Sequence, residues 1–366
     1  MEVFNRPGFV HQFTMGMDVA GREFLVFVVK GTFAFPGAEG RVAERSPVQA
    51  ELVMADRHTG APGYSATLWE SDFAFRKGRC DVVLQGAAYA PGGQKAQRVR
   101  VGIRVGGWHK AFDVVGHREW RVVGPRILAT DPYPFVRQPF GYDTAFGGTV
   151  RLDPDDPKPP AYLPNPHGRG FAHFRNQPRL SGQPLPNTEE TDVPVTSPYE
   201  AYRPMAFGPV WRGRADRLKW AGTYDQRWQD EVFPFLPADF DDRYYQQVGP
   251  DQQIDPPVGG ADVVLLNLTP AGREAFRLPR TALPLRIFRG WQTAFDGAPM
   301  PDTLLFDTEA RTLSLVWRVQ VPIRRVITEF TEAWIGAPRP GMTRARAAGK
   351  VYMGPAGFRM PADAGT

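Results

Sequence analysis

The chain has 366 residues, of which 42% are hydrophobic and 12% aromatic, so it can bury a substantial core and does not have a disordered composition. The net charge is +5, but the basic residues are spread along the chain in small groups, whereas nucleic-acid binders concentrate them on one face. The strongest apolar run, Phe24–Val29, is too short to span a bilayer. We therefore expect no nucleic-acid partner and no membrane insertion.

The first stretch, residues 1–123, is predicted to be an N-terminal β-lobe. Phe24–Val29 lacks polar alternation and is rich in β-branched and aromatic residues, which predicts a strand covered on both faces. Residues 98–105 then alternate apolar and mostly arginine side chains with period two, Gly106-Gly107 supplies a tight turn, and residues 108–115 return. This predicts a hairpin with one mostly apolar face, interrupted by Lys110. The register would pair Trp108 with Val105, Phe112 with Val101, Val114 with Val99 and Asp113 with Arg100.

The middle stretch, residues 124–260, holds 22 of the 37 prolines and few periodic apolar runs. Six of these prolines fall between residues 154 and 166, where neither a helix nor a central strand persists. The stretch is nevertheless rich in Trp, Tyr and Phe. We therefore predict an irregular segment that packs on the sheets, with its rings as anchors.

The last stretch, residues 261–366, is predicted to be a C-terminal β-lobe. Leu304–Phe306, a polar turn and Leu313–Val321 form a second predicted hairpin. Short helices are predicted at Asp239–Gln247 and Thr328–Ile335. The predicted fold class is mainly β, with antiparallel β-sandwich-like lobes joined by the long proline- and aromatic-rich segment.

A search for reactive groups indicates no catalytic centre, no metal site and no cofactor. The six histidines have no paired ligand spacing, and the single cysteine, Cys80, cannot complete a zinc site or an intrachain disulfide. No nucleophile elbow or phosphate-binding loop occurs. His58 lies near Asp56, Glu70 and Asp72, which would suit acid–base chemistry, but such residues are common on strand ends and loops. The lone cysteine and the absence of a signal-peptide pattern predict a cytoplasmic protein.

The densest unusual feature is residues 220–245, where eight aromatic rings alternate with six carboxylates. One interpretation is a long loop that packs its rings on the core. The other is a partner-binding surface, because aromatic residues are enriched among interface anchors. The candidate partner-binding residues here are Trp220, Tyr224, Asp225, Trp228, Phe240 and Tyr244.

Nine short strings, in order from residue 4 to about residue 280, together carry a family resemblance. They are Phe4–Pro7, Phe24–Phe33, Tyr89–Gly93, Tyr142–Gly148, Asn165–Phe171, Leu185–Glu189, Ala221–Asp225, Leu236–Asp241 and Asn267–Gly272. The series resembles the domain-of-unknown-function 2169 family, encoded beside the VgrG spike and PAAR tip proteins of type VI secretion. Two further candidate partner-binding positions, Phe146 and Arg169, lie in these strings.

The resemblance implies a non-enzymatic adaptor or chaperone that binds a secreted toxin effector, together with a PAAR or VgrG protein, and aids its loading onto the spike. It implies no cofactor. The leading alternative is an enzyme or binding module that acts on carbohydrate or peptidoglycan, since β-sandwich scaffolds often host such sites. A third interpretation is a structural component of the secretion apparatus.

Overall fold

The computed structural model describes residues 1–153 and 155–352. Its secondary structure is 36% strand and 11% helix, so the predicted mainly β class is confirmed. The strands are β1 (Glu2–Asn5), β2 (Val10–Met17), β3 (Glu23–Ala34), β4 (Glu44–Arg45), β5 (Arg57–His58), β6 (Thr67–Trp69), β7 (Cys80–Gln85), β8 (Ala87–Tyr89), β9 (Arg98–Val105), β10 (Trp108–Val115), β11 (Trp120–Val123), β12 (Arg126–Ala129), β13 (Arg137–Pro139), β14 (Phe146–Gly147), β15 (Arg169–Gly170), β16 (Thr188–Glu189), β17 (Gln253–Ile254), β18 (Asp262–Leu266), β19 (Arg273–Arg277), β20 (Leu285–Arg289), β21 (Gln292–Gly297), β22 (Thr303–Asp307), β23 (Thr312–Pro322) and β24 (Phe330–Ile335).

Helices are short. They are α1 (Ala215–Leu218), α2 (Gln226–Glu231) and α3 (Pro340–Ala347), with 3₁₀ turns at Pro91–Gly93, Phe174–Arg179, Asp242–Tyr245, Pro250–Gln252 and Ile327–Glu329. None of the helices in the described residues is long and apolar enough to cross a membrane.

Three larger sheets form the scaffold. A seven-stranded sheet has the order β17-β7-β22-β23-β3-β2, with β4 paired to β3; a five-stranded sheet has the order β16-β10-β9-β18-β19; and a four-stranded sheet has the order β1-β24-β20-β21. Most pairings are antiparallel, and the parallel ones are β1 with β24, β7 with β22 and β14 with β15. The main core lies between these sheets, because inward side chains of β3, β9, β18, β20 and β23 share one hydrophobic cluster.

Strand β3 is covered on both faces, as its sequence predicts. Leu25, Phe27 and Val29 point into the main core, while Phe24, Val26 and Val28 enter a second cluster on the opposite face. Segments outside the large sheets complete that second cluster with Leu52, Phe75 and Val248. The middle stretch also supplies Phe207 to the main core. These residues of the middle stretch therefore pack on the sheets.

Both predicted hairpins form. Strands β9 and β10 pair in the predicted register, with Trp108 opposite Val105, and the Asp113 carboxylate accepts from Arg100 Nε at 2.8 Å. Lys110, the exception on the apolar face, is buried. Strands β22 and β23 form the second hairpin.

The sheets do not follow the proposed boundaries of an N-terminal lobe (1–123) and a C-terminal lobe (261–366). Strand β3 pairs with β23, β7 with β22, and β9 with β18, so both stretches contribute strands to the same sheets. Alternation along a strand indicates which face is buried but not which strand lies beside it, because partner choice depends on packing between distant segments. The two stretches are interleaved in one sandwich.

The prediction of a helix at Thr328–Ile335 is wrong. After a 3₁₀ turn, residues 330–335 form β24, which lies between β1 and β20. The apolar spacing of this segment fits one face of a helix. A strand between two neighbouring strands also pairs its backbone groups, so the spacing alone does not exclude a strand. The other predicted helix, Asp239–Gln247, is reduced to the 3₁₀ turn at 242–245, where the Asp241 carboxylate accepts from the Arg243 backbone N–H.

The single cysteine is a core residue at the start of β7. Cys80 is fully buried, and burial together with Asp302 and Asp81 raises the pKa of its thiol well above the ordinary value. We expect the thiol not to react with Ellman's reagent in the folded protein at pH 8, and to react fully in denaturant, because thiolate is the reactive form. Rapid reaction of one thiol per folded chain would contradict this placement.

Candidate partner-binding site

A buried ion pair attaches the aromatic segment to the scaffold. Arg217 of α1 donates to Glu70 through two nitrogens, at 2.7 and 2.5 Å, and both side chains are almost completely buried. The same guanidinium donates to the backbone carbonyls of Tyr244 and Val210. Arg217 therefore holds both ends of the segment to the loop that follows β6. It was not among the residues singled out in the sequence, because only the fold brings it to Glu70.

Helix α2 and the loop after it form an exposed protrusion. The Asp225 carboxylate caps the helix by accepting from the Trp228 backbone N–H at 2.8 Å. At the base, Asp239 accepts from both the backbone N–H and the hydroxyl of Thr223. The indole Nε1 of Trp228 donates to the carbonyl of Phe235 at 3.0 Å, which closes the loop against the helix. The protrusion is thus short but internally tied.

Four aromatic side chains on this protrusion form what we call the aromatic tip: Tyr224, Trp228, Phe233 and Phe235. Trp228 contacts Tyr224 and Phe233 edge to face, with ring centres 4.7 and 5.6 Å apart. Tyr224 is 50% exposed, Phe233 67% and Phe235 48%. Adjacent exposed rings of this size are unusual on a surface that contacts only water, and they are typical of a binding surface.

The tip is also acidic. Residues 220–245 contain six carboxylates and two arginines, which gives a net charge of −4, whereas the whole chain has a net charge of +5. Arg227 is paired with Glu231, and Arg243 with Asp241. Asp242 also lies 3.7 Å from Arg76. Because Asp225, Asp230 and Asp239 lie in the same segment as the rings, this surface favours a partner that presents apolar and basic side chains.

The remaining predicted residues of this segment support the tip and do not belong to it. Trp220 is half-buried, with the Arg243 guanidinium 3.2 Å from its ring centre. Tyr244 is half-buried beside Arg217. Phe240 is only 8% exposed and packs against Tyr244 and Tyr245, so it is a packing residue and not a contact residue. Ring composition alone does not distinguish these positions from the exposed ones.

The structure brings Phe146 and Arg169 together, but away from the aromatic tip. They are register partners in the parallel pair β14–β15. Phe146 is fully buried and packs edge to face on Tyr162 and Tyr202, so it cannot be a surface contact as predicted. Its strand is buried because β14 lies in a third core cluster with Trp120 and Leu180. Arg169 is half-buried at the wall of a separate cleft.

A cleft of about 530 Å³ lies beside α1 and was not predicted. Lys110 from β10 reaches it and donates to Asp251 at 2.9 Å and to Gln252 at 2.5 Å. Arg203 also contacts Asp251, at 2.8 Å, and Arg214 pairs with Asp216. The signal for this site was the lysine on an otherwise apolar strand face.

Two carboxylates line this cleft, Asp216 and Asp251, as a glycosidase would require. Both are already ion-paired. Burial alone would raise the pKa of Asp251, but the charges of Lys110 and Arg203 outweigh it and hold the pKa below the ordinary value. A general acid in glycoside hydrolysis needs a raised pKa, so Asp251 does not supply one.

The carboxylates near His58 have basic partners elsewhere. Asp56 accepts from Arg212, Glu70 from Arg217, and Asp72 from Lys30. No group of three or more His, Cys, Asp or Glu side chains placed to hold a metal ion occurs within residues 1–153 and 155–352.

Burial of Lys110 makes the free energy of unfolding depend on pH. It lowers the pKa of Lys110 to about 8, from an ordinary value of 10.5, although Asp251 acts in the opposite direction. Between these values the unfolded chain holds the proton and the folded chain does not, so stability rises with pH. We expect the unfolding free energy of the wild type, relative to Lys110→Met, to rise by about 2 kcal/mol between about pH 8 and pH 10. Urea denaturation at each pH measures this difference.

The matched control for this prediction is Lys95→Met, because Lys95 is exposed. Its difference from the wild type is expected to stay constant over the same pH range. If the unfolding free energy of the wild type, relative to Lys110→Met, falls or stays constant as the pH rises, the pKa of Lys110 is not lowered in the folded protein.

The fold and this site define a mainly β, sandwich-like protein whose irregular middle segment presents an exposed aromatic and acidic tip. The chain belongs to a family described as an uncharacterized protein conserved in bacteria (DUF2169), whose model matches residues 20–318. The match includes the aromatic tip and Arg169, and excludes β1 and β24. No curated protein and no solved structure matches the chain.

Proposed function

We propose that this protein is a non-enzymatic adaptor or chaperone that acts in the cytoplasm on a type VI secretion effector. It binds the effector through the aromatic tip and aids its loading onto a VgrG–PAAR spike. The proposal draws its secretion context from the ordered family strings in the sequence. Its binding surface rests on a single observation, the exposed rings of Tyr224 and Phe233 that pack on the half-buried Trp228.

The geometry of the tip suits temporary binding. A chaperone must cover apolar surface on its cargo and later release it, so a small patch of anchors is more suitable than a large obligate interface. The Arg217–Glu70 pair fixes the base of the segment, and Tyr224, Phe233 and Phe235 on the protrusion are exposed. The carboxylates of this segment would raise the association rate with a basic cargo surface and make binding weaken with salt.

The carbohydrate-binding alternative uses the same exposed rings, so one experiment separates the two functions. The purified protein is tested against its co-expressed effector and against isolated peptidoglycan in parallel. If the protein is an adaptor, we expect a complex with the effector at a defined stoichiometry, and its affinity should fall as the salt concentration is raised. Sedimentation with peptidoglycan, without any effector complex, would support the alternative.

A further inference from the structure

A second cleft, of about 420 Å³, lies between the β14–β15 pair and the turn that ends in Arg179. Three arginines line it, Arg151, Arg169 and Arg179, together with the amides of Asn176 and Gln183. No aspartate or glutamate of the described chain lines it. None of the aromatic-tip residues lines it either, so this cleft is independent of the proposed effector surface.

The half-buried Arg169 differs from the fully buried arginines in having no counter-charge. Arg118, Arg217 and Arg318 each pair with a carboxylate, from Glu189, Glu70 and Asp302 respectively. Among residues 1–153 and 155–352, Arg169 has no ion-pair partner. Its Nε is buried without a hydrogen bond, as are the Nε atoms of Arg118 and Arg318, so the difference lies in the missing counter-charge. Burial lowers the pKa of Arg169, and the more distant Asp143 offsets this only in part. A desolvated guanidinium without a counter-charge is costly, and a bound anion would remove that cost.

The surrounding backbone holds Arg169 in place. Arg169 N–H donates to the carbonyl of Ala145, and Trp120 Nε1 donates to the carbonyl of Gly170 at 3.0 Å. The two loops approach so closely that a Cβ on Gly147 would lie 2.0 Å from the Asn165 carbonyl oxygen. Gly147 has no side chain, which allows the two loops to approach each other this closely. The backbone of Arg169 is therefore fixed before any ligand arrives, so only its side chain has to be ordered on binding.

We propose that this cleft binds the oxyanion group of a ligand, a carboxylate or a phosphate, with Arg169 and Arg179 as its main contacts. A guanidinium matches the geometry of both groups through two parallel N–H donors. Arg179 is exposed at the end of the 3₁₀ turn and lines the same cleft. Arg151 contributes less, because its guanidinium lies over the Tyr64 ring.

The test titrates the full-length protein with three probes at constant ionic strength: inorganic phosphate, hexaglutamate and hexaglutamine. Calorimetry measures binding to the wild type, Arg169→Gln, Arg179→Gln and the control Arg175→Gln. Arg175 lies in the same 3₁₀ turn but does not line the cleft. We expect saturable binding of phosphate or hexaglutamate but not of hexaglutamine, weakened roughly 10- to 100-fold by Arg169→Gln and unchanged by Arg175→Gln.

The two sources of the anion are distinguished by their relative affinity. Tighter hexaglutamate binding indicates an acidic peptide, and tighter phosphate binding indicates a phosphate-bearing small molecule. Thermal melts give a second readout. Without anion, Arg169→Gln should melt no lower than the wild type, since the substitution removes an uncompensated charge, and it should lose the anion-induced rise in Tm.

The proposal is overturned if neither anion binds saturably, or if Arg169→Gln binds as the wild type does. A large loss of stability in Arg169→Gln without anion would also overturn it, since the arginine would then have a structural role. None of these results bears on effector binding at the aromatic tip.

Discussion

Arg217→Ala is expected to lower the free energy of unfolding by about 3 kcal/mol. The substitution leaves the buried Glu70 carboxylate with only Arg212, which is more exposed and contacts one of its oxygens at 2.9 Å. It also removes the donors to the carbonyls of Tyr244 and Val210. Breaking one partner of a buried pair is costly because the other charge stays desolvated. Urea denaturation of the purified variant measures the effect.

Two further variants make this expectation specific. Arg227→Ala removes an exposed ion pair with Glu231 in the same segment and should leave stability unchanged within error, since exposed pairs contribute little. The double variant Arg217→Met/Glu70→Met should cost less than Arg217→Ala, because it leaves no buried charge without a partner. Arg217→Ala with wild-type stability would show that this pair does not attach the segment.

Tyr224→Ser/Phe233→Ser is expected to weaken effector binding by about 100-fold or more while leaving the fold intact. Truncating a central interface anchor costs about 2 kcal/mol or more, and two anchors are removed. Both side chains are largely exposed, so their loss should hardly change stability. Trp228 is kept, since its indole also closes the loop. Affinity is measured by calorimetry with the purified effector.

The matched control for the tip is Tyr133→Ser, because Tyr133 is 74% exposed and lies outside the aromatic segment. It should bind the effector as the wild type does. Equal weakening by Tyr133→Ser and by the tip variant would mean that binding is nonspecific. If the tip variant binds the effector with unchanged affinity, the effector binds at another surface of the molecule.

Local sequence patterns predict the local parts of this fold well. The β9–β10 hairpin follows from strict alternation and a Gly-Gly turn, which together determine the register. The two covered faces of β3 follow from an unbroken apolar run. Pairings between distant segments do not follow in this way. The parallel β1–β24 pair joins residues more than 300 positions apart, and nothing near either strand specifies its neighbour.

The candidate site shows the same division. Composition indicates that residues 220–245 are unusual, but only the packing separates the exposed Phe233 from the buried Phe240. Similarly, Arg169 stands out only once the buried Arg118, Arg217 and Arg318 are each seen beside a carboxylate. Exposure and charge compensation are properties of the folded arrangement, so sequence patterns identify candidates for a site but do not assign their roles.

The central claim, that this protein carries a secretion effector, is tested most directly by purifying it in tagged form from its source bacterium. We predict a stoichiometric complex with a toxin effector, together with a PAAR or VgrG protein, that is retained by Tyr133→Ser and lost with Tyr224→Ser/Phe233→Ser. An effector that remains soluble and is loaded and secreted equally well in a strain lacking this protein would show that the protein is not its carrier.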